Sequence, residues 1–297
     1  MEKYWEIIAS AYSGYASYLW NEITFNYSYK PLWENYFWML VGVSIFFLAI
    51  EWIKPWREKQ AKFRKDFWLD AFYMFFNFFL FSLIFYNALS DVFVNLFGDF
   101  LGLFGLENII AINIASWPRW AQLFALFIIR DFVHWNVHRL LHRVPWLWEF
   151  HKVHHSVEQM GFAAHLRYHW MENVVYKSIE YIPLAMIGFG IDDFFIVHVL
   201  ATVVGHWNHA NFTMDIGPLK FLLNNPRMHI WHHAYDLPEE RKYGVNFGLT
   251  LSIWDYLFGT AYIPHSGRDI RLGFPGVEEF PENFVQQNLH GFSRKEE

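Results

Sequence analysis

Long apolar segments separated by short charged ones dominate the first half of the chain. The first apolar run covers Tyr36–Trp52, the second Trp68–Leu96 and the third Trp120–Trp135. An α-helix needs about 20 residues to cross a bilayer, and tryptophans gather at membrane interfaces as they do at the ends of these runs. The pattern therefore predicts three membrane-spanning helices.

The distribution of basic residues orients these helices. Lysine and arginine are concentrated in residues 53–66 and are absent from Phe67–Pro118. Because cytoplasmic loops carry an excess of lysine and arginine, the 53–66 loop is predicted to be cytoplasmic and the 91–117 segment to lie on the other side. The third span then returns the chain to the cytoplasmic side.

Two further apolar runs, Val174–Phe189 and Phe194–Val204, are each too short for a confident crossing of their own. We interpret them as a helical hairpin that enters the membrane and returns to the same side. Residues 211–297 are soluble in character. The predicted fold is all-α: a polytopic membrane helical bundle with a cytoplasmic helical cap.

Composition supports a membrane protein and excludes some partners. Hydrophobic residues make up 54% of the chain and charged residues only 18%, against about 25% in ordinary globular proteins. The net charge of −6 and the lack of a basic stripe argue against nucleic acid as a partner. The chain has no cysteine, so a metal bound here would need nitrogen or oxygen ligands.

Histidine clusters are the main candidate chemistry. His138 and His142 form His-x-x-x-His, and His-x-x-His-His occurs twice about eighty residues apart; these clusters comprise His138, His142, His151, His154, His155, His229, His232 and His233. Residues three and four apart share one face of a helix, so each cluster can direct several imidazoles at one point. Eight imidazoles exceed the needs of one tetrahedral ion, which indicates two metals.

Other metal sites fit the residues less well. A single histidine pair would be typical of polar residues at a membrane interface, but packing alone has no need for three such clusters. The His-Glu-x-x-His motif of zinc proteases and the Glu-x-x-His motif of soluble di-iron bundles are both missing. The pattern indicates an all-histidine, dinuclear site at the membrane surface.

The residues around the clusters resemble the fatty acid hydroxylase/sterol desaturase superfamily of membrane di-iron oxygenases, over about residues 119–264. The similar motifs are Asp131 with His138-Arg-Leu-Leu-His142, Pro145-x-Leu-Trp148, His151-Lys-Val-His-His-Ser156, Arg167-Tyr-His-Trp-Met-Glu172, His209-Ala-Asn211 with Gly217-Pro218, Pro226-x-x-His229-x-x-His232-His233, Asn246-Phe-Gly248 and Trp254-Asp-x-Leu-Phe-Gly-Thr260. The sequence departs from the family pattern at His134, where an aromatic residue is expected, and at Trp170, where proline is usual.

This resemblance implies that the eight clustered histidines ligate two iron ions and that His209 is a ninth ligand. His206 could share the role of His209, and His169 and His165 are candidates for a tenth ligand or for positions behind the ligands; His134 belongs to the same second tier. Asp131, Glu149, Glu172, Asp236 and Asp255 are the nearby acids that could hold ligand imidazoles, and the sequence does not choose among them.

The resemblance also implies an enzyme that uses O₂ and an external reductant to hydroxylate a C–H bond of a sterol, fatty acyl or related lipid. Electrons would come from a separate donor protein or, as in one related branch, from a reduced pterin. Desaturation or alkylglycerol monooxygenation on the same scaffold is an alternative, and a zinc-dependent membrane hydrolase is a more distant one. The expected location is the bacterial inner membrane or the endoplasmic reticulum, with the metal site on the cytoplasmic side.

The expected organisation has three parts: a transmembrane region over residues 1–117, a catalytic region over residues 118–264 and a tail over residues 265–297.

Overall fold

The protein is helical throughout the part of the chain that the structure describes. A computed structural model describes residues 2–28, 30–106, 114, 116–189 and 191–292. These residues form no β-strand; their extended pairings are two isolated antiparallel bridges, Leu223 with Leu251 and Ala234 with Leu272. The predicted all-α fold class is therefore confirmed for the described residues.

The described part of the chain contains eleven α-helices. They are α1 Glu2–Thr24, α2 Tyr36–Ile53, α3 Phe67–Phe75, α4 Asn87–Gly102, α5 Arg119–Arg143, α6 Pro145–His155, α7 Trp170–Ile187, α8 Ile191–His209, α9 Pro226–His232, α10 Ile253–Leu257 and α11 Phe284–Leu289. Two π-helical segments, Phe76–Leu80 and Ser82–Tyr86, connect α3 to α4.

Two helical segments of the described chain are long and apolar enough to cross a membrane. They are Tyr36–Ile53 and Phe67–Ile84, and they coincide with the first two predicted spans. The third predicted span forms most of α5, but Arg130 and Asp131 lie near its middle and it does not reach the same hydropathy. The third crossing, the dipping hairpin of α7 and α8 and the sidedness stay predictions. Residue 190, in the turn of that hairpin, lies outside the described residues.

Helix α5 organises the site because three other helices pack on it. It contacts α6, α7 and α8, and α8 in turn contacts α2 and α9. Proline at position 145 begins α6 directly after α5 ends, since proline is tolerated in the first turn of a helix but not in its interior. The two histidine-bearing helices α5 and α6 are therefore joined by a sharp turn.

Two regions differ from what the apolar pattern indicated. Helix α1 was not predicted, and it packs against α2 and α4. The C-terminal segment is packed onto the rest of the molecule: Phe274 and Phe280 share a buried cluster with Tyr73 of α3 and Val153 of α6.

Candidate metal centre

All nine histidines proposed as main ligands converge in two adjacent groups. One ring nitrogen of each residue lies within 4.8 Å of the corresponding nitrogens of its group. The five-histidine group comprises His138, His142, His151, His155 and His232, and the four-histidine group comprises His154, His209, His229 and His233. The rings of His155 and His233 stack across the boundary with centroids 4.4 Å apart.

The two His-His doublets explain this division. His154 and His155 are consecutive on α6, and His232 and His233 end α9. Consecutive residues on a helix point about 100° apart, so one member of each doublet faces each group. The repeated His-x-x-His-His pattern therefore supplies both groups from each helix.

Hydrogen bonds to Nδ1 fix the orientation of five of the rings. Each of these Nδ1 atoms lies within 3.0 Å of an acceptor oxygen: His138 with Phe247 O, His151 with Glu172 Oε2, His154 with Arg167 O, His209 with Gly205 O, and His232 with Val245 O. A neutral imidazole that donates from Nδ1 carries its free lone pair on Nε2, the nitrogen left for a metal.

These Nε2 atoms face one another. The separation is 3.2 Å between His138 and His151 and 3.3 Å between His154 and His209. Two unprotonated lone pairs at such distances repel unless a cation lies beside them. Two nitrogens each about 2.0–2.1 Å from one ion lie roughly 3–4 Å apart, so the donor set fits a bound metal in both groups.

Burial keeps the imidazoles neutral. It lowers the pKa of His154 to about 4 and that of His232 to about 3, and it also lowers the pKa of His155 and His233. Eight of the nine rings are buried, and His142 alone is half-buried. Neutral imidazole is the form that binds metal, so the site needs no proton loss at physiological pH.

Among the described residues, Glu172 is the acid that contacts the ring of a candidate ligand directly. Its Oε2 lies 2.8 Å from Nδ1 of His151, and the side chain is buried in the first turn of α7. Desolvation raises the pKa of this carboxyl well above its usual range. Nε2 of His151 faces His138, and Nδ1 faces Glu172. Glu172 therefore holds the His151 ring on the side away from His138.

The loop between α9 and α10 provides two of these five oxygen acceptors. Val245 and Phe247 supply carbonyls to His232 and His138, and Asn246 between them has a φ of 54°, a left-handed conformation that asparagine tolerates better than most residues. The buried Asp255 carboxylate accepts hydrogen bonds from the backbone N–H groups of Phe247 and Gly248.

Asp131 of α5 holds the next part of the same loop. Its carboxylate accepts hydrogen bonds from the backbone N–H groups of Thr250 and Leu251 and from the indole of Trp254. The sequence motifs contained Asp131 and Asp255, but the spacing alone does not reveal which carbonyls they position. Asp236 is exposed, and Glu149 pairs with Lys152 and His290 instead of a ligand ring.

The four second-tier histidines lie outside both groups. His165 and His206 face each other through their Nδ1 atoms at 2.9 Å, and the His165 ring lies 5.3 Å from that of His209. Both ring nitrogens of His169 have hydrogen-bond partners. Nε2 faces Asn288 O, and Nδ1 accepts from the backbone N–H of Met171.

His134 also has its hydrogen-bond partner outside the two histidine groups. Its Nδ1 lies 2.7 Å from Glu180, and its ring stacks on Tyr176 with centroids 4.3 Å apart. The His134 ring also lies 6.4 Å from that of His138, so His134 borders the five-histidine group while His165 borders the four-histidine group.

Comparison with known proteins agrees with the histidine pattern. The sequence model of the fatty acid hydroxylase family matches residues 123–260. This match and the relatives that follow support a place for residues 123–260 in the fatty acid hydroxylase/sterol desaturase superfamily. It is 32% identical over 180 residues to an ornithine lipid hydroxylase of Rhizobium tropici, covering 61% of this chain and 53% of that protein.

Other relatives in this superfamily carry different names. The human alkylglycerol monooxygenase is 32% identical over 141 residues, which cover 46% of this chain and 30% of that protein. A very-long-chain aldehyde decarbonylase of Oryza sativa is 28% identical over 144 residues, which cover 47% of this chain and 46% of that protein. The chain thus spans about half or less of these curated relatives. No solved structure matches it.

Proposed function

We infer that this protein is a membrane-bound, O₂-dependent oxygenase that hydroxylates a C–H bond of a lipid. The observation that carries the proposal is the convergence of nine neutral imidazoles in a group of five and a group of four, in a superfamily whose relatives include a lipid hydroxylase and a monooxygenase. Two iron ions, one in each group, would supply the activation of O₂.

The proposed reaction balances with an external reductant. One oxygen atom of O₂ enters the C–H bond to give C–OH, and the other leaves as water after two electrons and two protons are taken up. The electrons come from a separate donor protein or a reduced pterin. The protein contributes binding, orientation and exclusion of water.

The surroundings of the four-histidine group suit an apolar substrate. Ala210, which follows His209, belongs to a buried cluster with Phe47 of α2, Phe67 of α3 and Phe162. Because α2 and α3 are the candidate membrane spans, a lipid chain leaving the bilayer between them would approach the metals on this side. We place this side at the cytoplasmic face, in the bacterial inner membrane or the endoplasmic reticulum.

An alkylglycerol monooxygenase is the second candidate, because the human enzyme of that name is 32% identical over the matched region. Both candidates begin with hydroxylation of a lipid C–H bond, so they differ in substrate and not in site. A zinc hydrolase is less well supported: it would need a general base beside the metal, and Glu172 lies behind the His151 ring.

Metal analysis and lipid profiling test this proposal together. Purified protein is expected to hold about two iron ions per chain, one for each histidine group. Reductant and a lipid extract should then cause O₂ consumption, and cells with the gene should contain a hydroxylated lipid that cells without it lack. A single tightly held zinc ion, with no O₂ consumption under these conditions, would overturn the proposal.

A further inference from the structure

A cavity of about 250 Å³ lies directly over the five-histidine group. Its floor is formed by His142, His155 and His232, and Trp148 and Phe274 form part of its wall. Since a water molecule needs only about 10–15 Å³ of such space, the cavity can hold several waters or one small molecule.

The rim of this cavity is exposed to solvent and carries two charged residues. Asp236, Lys242 and Pro275 all line it, and all three are exposed. The apolar residues that border the four-histidine group, such as Phe47 and Ala210, are not among those that line it. No residue of the candidate membrane spans Tyr36–Ile53 and Phe67–Ile84 is among the described residues that line the cavity.

The burial of the histidines also differs between the two groups. His142 is the one half-buried member of the nine, whereas all four rings of the other group are buried. The Nε2 atom of His142 is itself buried and has no hydrogen-bond partner among the described residues. His142 belongs to the candidate ligand set and also lines the cavity, so the cavity reaches the five-histidine group directly.

We propose that this cavity is the aqueous port of the metal centre. Small hydrophilic molecules reach the five-histidine group through it, including the reductant where that is a reduced pterin, while the four-histidine group exchanges nothing directly with solvent. The passage of a reductant through the port rests on the proposed function. The unequal access of water to the two groups rests only on the geometry of the cavity.

A reversible plug in the port provides the test. The chain has no cysteine, so Asp236→Cys introduces a unique thiol at the rim. The folded, metal-loaded protein is then modified with a bulky methanethiosulfonate reagent. Asp215→Cys is the matched control, because Asp215 is also exposed and does not line the cavity.

The measurement is the release of bound metal to a hydrophilic chelator such as EDTA. Release should have two phases, and the rate of the faster one should rise with chelator concentration. The plug at position 236 should slow this phase by an order of magnitude, and removing the label with a thiol reductant should restore it. The label at position 215 should leave both phases unchanged.

Equal rates in plugged and unplugged protein, or rates independent of chelator concentration, would overturn the port. The assay uses neither O₂ nor lipid, and zinc-loaded protein serves as well as iron-loaded protein. A functioning port without lipid oxidation would therefore count against the proposed function alone, and lipid oxidation without a port would count against the port alone.

Discussion

Oε2 of Glu172 and Nδ1 of His151 lie 2.8 Å apart, and both side chains are buried. Partners of this kind hold a ligand ring in one tautomer, and their loss typically lowers metal affinity 10–100-fold. Glu172→Ala should therefore weaken metal binding by about that factor, measured by competition with a chelator. Glu172→Gln should retain more affinity, since its amide oxygen can still accept the hydrogen bond.

Glu149 offers the control for this prediction. It is an acid on α6, the helix that carries His151, but it pairs with Lys152 and His290. Glu149→Ala should leave metal affinity unchanged. If both alanine variants lost metal equally, Glu172 would have no special role at His151.

The two groups should respond differently to the loss of one ligand. His233→Ala leaves three imidazoles in the four-histidine group, whereas His142→Ala leaves four in the other. We expect the first variant to hold about one metal fewer per chain and the second to keep both ions at lower affinity. Elemental analysis of purified protein measures this, with His265→Ala as a control because His265 belongs to neither group. Identical metal contents in the two ligand variants would contradict the division into five and four.

Asp255 should be important for stability as well as for the site. Its buried carboxylate accepts hydrogen bonds from two backbone N–H groups, from the Trp135 indole and from the Thr260 hydroxyl. Hydrogen bonds to a charged group contribute roughly 1.5–3 kcal/mol each, so Asp255→Asn should lower the free energy of unfolding by about 2–4 kcal/mol. Thermal or denaturant unfolding in detergent tests this. The exposed Asp269→Asn should change the free energy by no more than about 0.5 kcal/mol.

Gly205 should not tolerate a side chain. A Cβ atom there would lie 2.1 Å from Nε2 of His165, and the Gly205 carbonyl also accepts the hydrogen bond from His209. Gly205→Ala should therefore move His165, disturb the four-histidine group and lower both metal affinity and melting temperature.

Gly42→Ala is the matched change in another helix, since a Cβ atom at Gly42 meets nothing within 4 Å. Alanine in a helix is favoured over glycine by roughly 0.5–1 kcal/mol, so this variant should be as stable as the parent or slightly more stable. A Gly205→Ala protein that kept its metals and its melting temperature would show that His165 has room to move.

Removal of both metals should itself destabilise the fold. Without them, the converging Nε2 lone pairs of buried rings such as His138 and His151 face each other uncompensated. A ligand that binds only the folded state stabilises it by about 2.7 kcal/mol when present at 100 times its dissociation constant. Stripped protein should melt at a lower temperature, and adding back the metal should restore the original value. An unchanged melting temperature would mean that the rings pack equally well without an ion.

The sequence by itself determined part of the helix pattern and the set of candidate ligands. Apolar runs long enough for a bilayer predicted α2 and the α3 region, and histidines three and four apart on one helix face identified the ligand candidates, because both patterns depend on local geometry. Helix α1 escaped prediction because glutamates and aromatics alternate there without a continuous apolar run.

Only the tertiary structure decided how the histidines divide. Whether His154 joins His209 or His151 depends on where the tertiary structure places the histidines of α8 and α9 relative to α6, and the spacing within α6 does not contain that information. The same holds for the carbonyls of Val245 and Phe247, which reach His232 and His138 through contacts over more than ten residues. Long-range contacts, set by packing and by the carboxylates of Asp131 and Asp255, turned a predicted ligand set into two distinct groups.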